Sequence, residues 1–226
     1  MKRRGFFITG TDTGVGKTVC AGHLIRRLIE QHWRVAAMKP IASGARWHAD
    51  GLRNDDALQL QAAANVKLPY ATLNPYCFEP AVSPHLAAED SSTPLDIAHV
   101  HRVLQSIDAD VVVVEGAGGW LAPLSPQESM ADLARVLELP VILVVGMRLG
   151  CLNHAALTCD AIAASALPFA GWIANRMDPH MLYADRNQAF LSDRIDAPLL
   201  ATVPFSDERR HSIKWSDEVL LQHLRR

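Results

Sequence analysis

The sequence has few cysteines and no long hydrophobic run. Its four cysteines stand at positions 20, 77, 151 and 159. None of them forms a C-x-x-C pair, which argues against a zinc ribbon or a thioredoxin-like site. No apolar run reaches the roughly 18 residues that a membrane-spanning helix needs, and the stretch behind the basic N-terminus is too short for a signal peptide. We therefore expect a cytoplasmic protein with reduced thiols and no membrane partner.

An excess of positive charge is also missing. Lysine and arginine number 22 against 24 aspartates and glutamates, giving a formal net charge of −2. Without a basic excess, a nucleic-acid partner is not expected. The 226 residues, 49% of them hydrophobic, suffice for one α/β domain of above-average size. With no linker or repeat in view, we predict a single domain over residues 1–226.

Short apolar runs alternate with longer amphipathic segments along the chain. Most of the runs are apolar at consecutive positions, which is typical of strands buried on both faces of a parallel sheet. Strands are predicted at residues 6–9, 34–38, 110–114, 140–145, 169–174 and 199–203, and helices at 17–31, 55–64, 96–106, 130–137, 153–166, 183–194 and around 219–224. This alternation predicts an α/β fold, a doubly wound, mostly parallel sheet with helices on both faces. Residues 43–53 and 70–93 are predicted to be irregular.

The strongest motif is Gly10-Thr11-Asp12-Thr13-Gly14-Val15-Gly16-Lys17-Thr18, between a predicted strand and a predicted helix. Such a P-loop turns backbone N–H groups toward phosphates at a helix N-terminus. Lys17 can reach the β- and γ-phosphates, and the Thr18 hydroxyl can bind Mg²⁺. The usual spacing has a glycine at position 11, where this chain has Thr11. The motif predicts a site for a nucleoside triphosphate with Mg²⁺.

Charged residues stand where other elements meet this loop. Lys39 ends the second predicted strand, and Glu115 follows a run of four valines, as the metal-side acid does in P-loop proteins. The glycines after Glu115 let a ligand approach the backbone. Asp55 and Asp56 open a helix, where they either cap it or stabilise its dipole, or else supply a Mg²⁺ ligand.

Three further segments give weaker signals. Ser83-Pro84-His85 has no specific interpretation beyond loop packing. The turn at residues 149–154 leads into a helix N-terminus that could hold a carboxylate, with ordinary packing as the alternative. Asn175-Arg176-Met177-Asp178 ends a strand and places Asn175 to meet a base edge. It is also similar to the Asn-Lys-x-Asp element of GTP-binding proteins, so the identity of the base stays open.

Taken together and in order, these segments resemble the dethiobiotin synthetase family. The resemblance runs from Phe6 to Phe205, and the early position of Gly10 agrees with that family. The matching segments are Gly10-Thr11-Asp12-Thr13, Lys17-Thr18, Lys39-Pro40, Ser43-Gly44, Gly51-Leu52-Arg53-Asn54, Asn74-Pro75-Tyr76, Ser83-Pro84-His85, Glu115-Gly116-Ala117-Gly118-Gly119-Trp120 and Leu149-Gly150-Cys151-Leu152-Asn153-His154.

The resemblance implies an ATP- and Mg²⁺-dependent carbon–nitrogen ligase. Such an enzyme closes the ureido ring of dethiobiotin from 7,8-diaminononanoate and carbon dioxide, through a carbamate and a carbamic-phosphoric anhydride. It implies catalytic roles for Lys17, Lys39 and Ser43, and Mg²⁺ held by Thr18, Asp56 and Glu115. The other implied nucleotide contacts are Thr13, Gly14, Val15, Gly16, Gly116, Ala117, Gly118, Asn175, Arg176, Pro204, Phe205 and Ser206.

The resemblance also implies a homodimer with shared active sites. Gly150, Cys151 and Asn153 of one subunit would receive the carboxylate of the substrate bound at Ser43 of the other. The family often has a carboxylate at the place of Gly14, and the role of that acid is not carried over to this chain. The basic cluster at residues 209–211 lies beyond the resemblance.

Two other classes share the loop and the expected fold. Partition-type nucleotide-switch ATPases carry an extra lysine six residues before the loop threonine, where this chain has Asp12. An amide ligase of the cobalamin pathway needs an attached glutamine-hydrolysing domain, for which this chain is too short. A nucleotide-binding module without chemistry would not require Lys39 and Glu115.

Overall fold

A six-stranded parallel sheet forms the centre of the computed structural model, which describes residues 3–205 and 213–225. The strands are β1 (Gly5–Gly10), β2 (Val35–Met38), β3 (Ile41–Ala42), β4 (Arg46–His48), β5 (Gly51–Arg53), β6 (Tyr76–Cys77), β7 (Val111–Glu115), β8 (Val141–Met147), β9 (Phe169–Arg176) and β10 (Leu199–Val203). The central sheet has the order β10-β9-β8-β1-β7-β2, while β3 pairs with β6 and β4 with β5.

Helices cover both faces of this sheet. They are α1 (Lys17–Glu30), α2 (Asp55–Ala63), α3 (Tyr70–Leu73), α4 (Pro84–Asp90), α5 (Ile97–Ser106), α6 (Met130–Leu137), α7 (Cys151–Ala163), α8 (Ala184–Arg194) and α9 (Asp217–Leu224). Alternate strand residues enter different cores: Phe6 and Ile8 pack with α1, α2 and α9, while Phe7 packs with α5, α6 and α7. Consecutive apolar residues are therefore needed on these strands, because both faces are buried.

The predicted doubly wound α/β fold and its six strands are confirmed, each strand within two residues of its predicted bounds. The predicted helices are also found, although α7 starts and ends two to three residues early. The prediction that residues 43–53 and 70–93 are irregular was wrong, since they contain the β4–β5 hairpin, α3, β6 and α4. These elements are short and β4 is exposed, so no hydrophobic periodicity marks them. In the described part of the chain, no helix combines the length and apolarity needed to cross a bilayer.

Candidate active site

The carboxyl ends of β1, β7 and β2 lie side by side and carry the predicted site residues. The register pairs Ile8 with Glu115 and Met38 with Val114, so Glu115 ends β7 beside β1, and Lys39 directly follows β2. The P-loop, residues 10–18, leaves the end of β1. Ligands of open α/β sheets bind outside the carboxyl ends of strands where the strand order reverses. β1 is such a point, because β2 is reached by crossing over β7 and β8 is later added on its other side.

The P-loop is supported by a hydrogen bond from another strand of the central sheet. Gly16 precedes α1 with φ +85°, and a Cβ there would lie 2.1 Å from Nδ2 of Asn175, so glycine is required. Asn175, on β9, donates from Nδ2 to the carbonyl oxygen of Val15 at 2.8 Å. Lys17 is buried, and its Nζ donates to the carbonyl oxygen of Asp12 at 3.0 Å. The loop is therefore already folded around its lysine.

A compact charged cluster lies beside the loop. Lys39 and Glu115 are both buried, and Nζ of Lys39 lies 2.5 Å from Oε1 of Glu115 and 3.2 Å from Oδ2 of Asp56. The Thr18 hydroxyl donates to the same Oε1 at 3.0 Å. The other carboxylate oxygen of Glu115, Oε2, is buried and has no hydrogen-bond partner among the described residues. Such an orphaned acceptor fits a site built for an additional cation.

The two lysines of the cluster differ in how readily they hold a proton. Burial, together with the positive charge of Lys39, lowers the pKa of Lys17 to about 8. Burial also acts to lower the pKa of Lys39, but Glu115 and Asp56 outweigh it and the pKa is raised. Lys39 therefore stays protonated between two carboxylates. For Lys17, the nearby carboxylates do not offset the free-energy cost of burying its charge.

The two aspartates that open α2 have different partners. Asp56 contacts Lys39, whereas Asp55 is exposed and pairs with Arg46 at 2.5 Å. The interpretation of either aspartate as the helix cap was wrong. The cap is Asn54, whose side-chain oxygen accepts from the backbone N–H of Ala57 at 3.2 Å. Asn54 takes this role because it occupies the last non-helical position.

These groups line one cavity of about 310 Å³. Its lining includes eleven of the predicted site residues: Thr13, Gly14, Gly16, Lys17, Thr18, Lys39, Ser43, Asp56, Glu115, Ala117 and Gly118. The nearby glycine turn is tight, since a Cβ on Gly118, at φ +65°, would lie 2.9 Å from Cβ of Ala122. The volume and the mixed charge of the lining suit a polar ligand such as a triphosphate.

The remaining predicted residues lie outside the lining. Val15 is buried beneath the loop, Gly116 contacts Nζ of Lys39 through its carbonyl oxygen, and Arg176 is engaged by Asp185 of α8. The others off the lining are Asn175, Pro204 and Phe205, and Gly150, Cys151 and Asn153 at the start of α7. Ser206 and the basic cluster at residues 209–211 lie outside the described residues.

Gly14 stands where the family often has a carboxylate, and its backbone conformation favours glycine. Its φ is +73°, and a Cβ built there meets nothing within 4 Å. Asp12, two residues earlier, carries a carboxylate. Asp12 accepts from the Thr13 backbone N–H at 2.7 Å and pairs with Arg148 at 2.7 Å. The P-loop is thereby tied to the turn that leads into α7.

Sequence reasoning missed four residues of the cavity lining: Val19, Ala42, Asn54 and Gln59. Gln59 had a usable signal, because it stands three residues after Asp56 and so shares its face of α2. Asn54 had one too, as a strong N-cap residue before an acidic helix start. Val19 and Ala42 carry no polar signal, and only the folded chain brings them to the cavity.

Comparison with known proteins defines the family. A family model described as an AAA domain matches residues 4–210. ATP-dependent dethiobiotin synthetase BioD of Aromatoleum aromaticum is 50% identical over 203 residues, covering 89% of this chain and 90% of that protein. The chain belongs to the dethiobiotin synthetase family. The family protein of Pseudomonas paraeruginosa is 48% identical over 88% of this chain and 89% of its own length, and that of Xanthomonas campestris pv. campestris is 45% identical over 100% and 99%.

Solved structures of other proteins have a fold similar to that of this chain. The cell division protein ftsY of Thermotoga maritima superposes with a TM-score of 0.55 at 15% identity, covering 98% of this chain and 68% of that one. The signal recognition particle receptor FtsY of Elizabethkingia anophelis gives 0.56 at 16% identity, over 99% and 64%. At this identity the likeness concerns the P-loop fold alone.

Proposed function

We propose that this chain is an ATP-dependent ligase that closes the ureido ring of dethiobiotin from 7,8-diaminononanoate and carbon dioxide. The observation that carries the proposal is a second buried lysine, Lys39, paired with Glu115 and Asp56 at the edge of the P-loop cavity. Binding a nucleotide requires only the loop lysine. A second cation fixed beside it serves a second anion, which in this reaction is a carbamate.

The reaction has two parts, and the cavity has groups for both. One amine of the diamine attacks carbon dioxide and loses a proton, giving a carbamate. The carbamate oxygen then attacks the γ-phosphorus of ATP, the bond to ADP breaks, and a carbamic-phosphoric anhydride forms. The second amine attacks the carbamate carbon, gives up one proton to water, and phosphate leaves. Since this last attack is intramolecular, proximity can supply roughly 7–11 kcal/mol.

The chain's own residues supply the charge that both phosphoryl steps need. Lys17 is the cation for the β- and γ-phosphates. A bound phosphate would also offset the cost of burying the charge of Lys17. Lys39 pairs with the carbamate oxygens, and Ser43, which also lines the cavity, can offer a hydroxyl to the substrate. Because the diamine must be unprotonated to attack, activity should fall below neutral pH.

The oxygen ligands at the cavity suit Mg²⁺. Thr18, Asp56 and Glu115 are hard donors, and the unpartnered Oε2 of Glu115 gives such an ion a ready acceptor. When bound, the ion would neutralise charge on the phosphate oxygens. ATP rather than GTP is proposed as the nucleotide, with Asn175 and Arg176 and the segment Pro204, Phe205 and Ser206 at the base.

We further propose a homodimer with shared sites. Gly150, Cys151 and Asn153 lie where α7 begins, with Gly150 at φ +94° and the Asn153 side chain exposed. Leu149, just before this helix, and Leu157, in the middle of α7, are both exposed, so an apolar surface is available for a partner. The four free cysteines support a cytoplasmic location. We also propose that the partners are small molecules, with no nucleic-acid or membrane partner.

The partition-type switch and the cobalamin-type ligase are weaker candidates. A switch ATPase of the partition type would carry its extra lysine at position 12, and Asp12 instead binds Arg148. The relatives that match most of this chain are named dethiobiotin synthetases, at up to 50% identity.

The test is product formation with ATP, Mg²⁺, bicarbonate and 7,8-diaminononanoate, followed by mass spectrometry for dethiobiotin. Lys39→Met should lower the rate at least about a hundredfold, the scale of one lost electrostatic group at a reacting centre. Lys67→Met is the matched control, because Lys67 is exposed and bonds only carbonyl oxygens of α2. Thermal unfolding checks that Lys39→Met is folded. If folded wild-type protein binds ATP and makes no dethiobiotin, the ligase assignment is wrong.

A further inference from the structure

Two side chains from the segment predicted to be irregular connect the chain at Lys39 to the chain at Asp56. Asn74 donates from Nδ2 to the carbonyl oxygen of Lys39 at 2.6 Å. Its side-chain oxygen accepts from the Tyr70 hydroxyl at 3.1 Å. The Tyr70 oxygen in turn accepts from the backbone N–H of Asn54, two residues before Asp56, at 2.7 Å. We call the side chains of Tyr70 and Asn74 the clasp.

The clasp is fully satisfied and well anchored. Asn74 is buried, at 2% exposure, and its Nδ2 also donates to the carbonyl oxygen of Tyr76 at 3.1 Å. The Arg53 guanidinium lies 4.1 Å from the centre of the Tyr70 ring, which fixes the ring on its other side. Both side chains thus bond to the backbone of cavity-lining residues, Lys39 and Asn54, although neither Tyr70 nor Asn74 is itself part of the lining.

The clasp ends where the charged cluster begins. From Lys39 the chain runs into β3, and from Asn54 it runs into α2, so the two ends belong to different elements. The direct link between these elements is the ion pair of Lys39 with Asp56 at 3.2 Å, together with a bond from Asn54 Nδ2 to the Ser43 carbonyl oxygen. A ligand that binds the side chain of Lys39 or Asp56 would weaken this ion pair. The clasp bonds to backbone atoms, so it would remain when the ion pair is broken.

We propose that Tyr70 and Asn74 are positioning residues that hold the backbone of Lys39 at a fixed distance from the start of α2. The inference rests on the proposed roles of Lys39 and Asp56. Catalytic groups must stay close to their productive geometry, and a displacement of about 1 Å can slow a reaction on the order of a hundredfold. Loss of the Tyr70 hydroxyl frees one end of the clasp. It should therefore slow turnover without weakening the nucleotide contacts of the P-loop.

The test compares two tyrosine variants that each lose one hydroxyl bonded to a backbone N–H. Tyr70→Phe removes the bond from the Asn54 N–H, the bond to Asn74 Oδ1 and a contact with Cys77 Sγ at 3.7 Å. Tyr76→Phe removes a bond from the Asp96 N–H at 3.1 Å, outside the cavity lining. Both variants are assayed at 10 °C below the lower of their two unfolding midpoints. We expect kcat of Tyr70→Phe to fall about tenfold, which corresponds to about 1.4 kcal/mol in the barrier, because the backbone of Lys39 is then held less closely. The equilibrium Kd of a non-hydrolysable ATP analogue should stay within about twofold of wild type, and so should both values for Tyr76→Phe.

Each other result argues against the clasp. An unchanged kcat in Tyr70→Phe, an equal loss in Tyr76→Phe, or a loss of nucleotide affinity that parallels the loss of kcat would each overturn the inference. Lys39→Met in the same assay separates the two proposals. If Lys39→Met is inactive while Tyr70→Phe is fully active, the clasp inference fails and the proposed function stands. If wild-type protein makes no dethiobiotin, the proposed function itself fails. If Lys39→Met keeps the wild-type rate, the role of Lys39 on which the clasp rests is wrong.

Discussion

Replacing the P-loop lysine should make the nucleotide-free protein more stable while abolishing its activity. Lys17 is 6% exposed, and its one described hydrogen bond is to the Asp12 carbonyl oxygen. Its pKa falls from 10.5 to about 8 because burial and then the charge of Lys39 disfavour its protonated form. At pH 7 the protein nevertheless holds the charge in both the folded and the unfolded states. The free energy of unfolding is therefore lower than it would be with an uncharged side chain.

The size of the effect follows from that shift. The difference of about 2.5 pKa units corresponds to roughly 3 kcal/mol at 1.36 kcal/mol per unit. Lys17→Met removes this penalty and also loses the bond to Asp12, which offsets about 1 kcal/mol. The expected gain is about 2 kcal/mol at pH 7, or roughly 4–8 °C in the unfolding midpoint for a chain of this length. The gain should shrink as the pH rises through 8 toward 10.5, because folded wild-type protein then sheds the Lys17 proton.

The assay is urea unfolding followed by circular dichroism, without nucleotide and with a chelator, at pH 7 and pH 9.5. Lys67→Met serves as control, since an exposed lysine should change stability by less than about 0.5 kcal/mol. Added ATP should raise the midpoint of wild-type protein more than that of Lys17→Met. Two results would refute this reasoning. One is a Lys17→Met protein that is less stable than wild type at pH 7, and the other is a stability gain over wild type that is the same at both pH values.

Two further predictions concern the dimer and the base. Mixing Lys39→Met with Asn153→Ala subunits should restore about a quarter of wild-type activity. Half of the dimers are then mixed, and each mixed dimer has one intact site out of two. No recovery after demonstrated subunit exchange would argue for self-contained sites. Asn175→Ala should weaken ATP binding at least roughly tenfold in competition titrations, since it loses about one hydrogen bond to the base and also the bond to Val15 that supports the P-loop. A wild-type preference for GTP would instead favour Asp178 as a reader of guanine.

The sequence determined the sheet, the P-loop and the two lysines by itself. Consecutive apolar residues such as those of β7 can be satisfied only between two layers, so the strands and their burial follow from local pattern. Gly16, Lys17 and Thr18 carry a chemistry that few other contexts would use. Lys39 and Glu115 were placed at the same sheet edge because both end strands, and carboxyl ends of parallel strands meet there.

Only the tertiary structure decided which groups touch. The local pattern does not distinguish Asp55 from Asp56, and the direction of α2 places Asp56 beside Lys39 and Asp55 beside Arg46. The clasp of Tyr70 and Asn74 lies in short elements without periodicity, and its contacts span 16 and 35 residues along the chain. Contacts of that length depend on how α2, α3 and β2 pack together, and no local preference of the sequence encodes that packing.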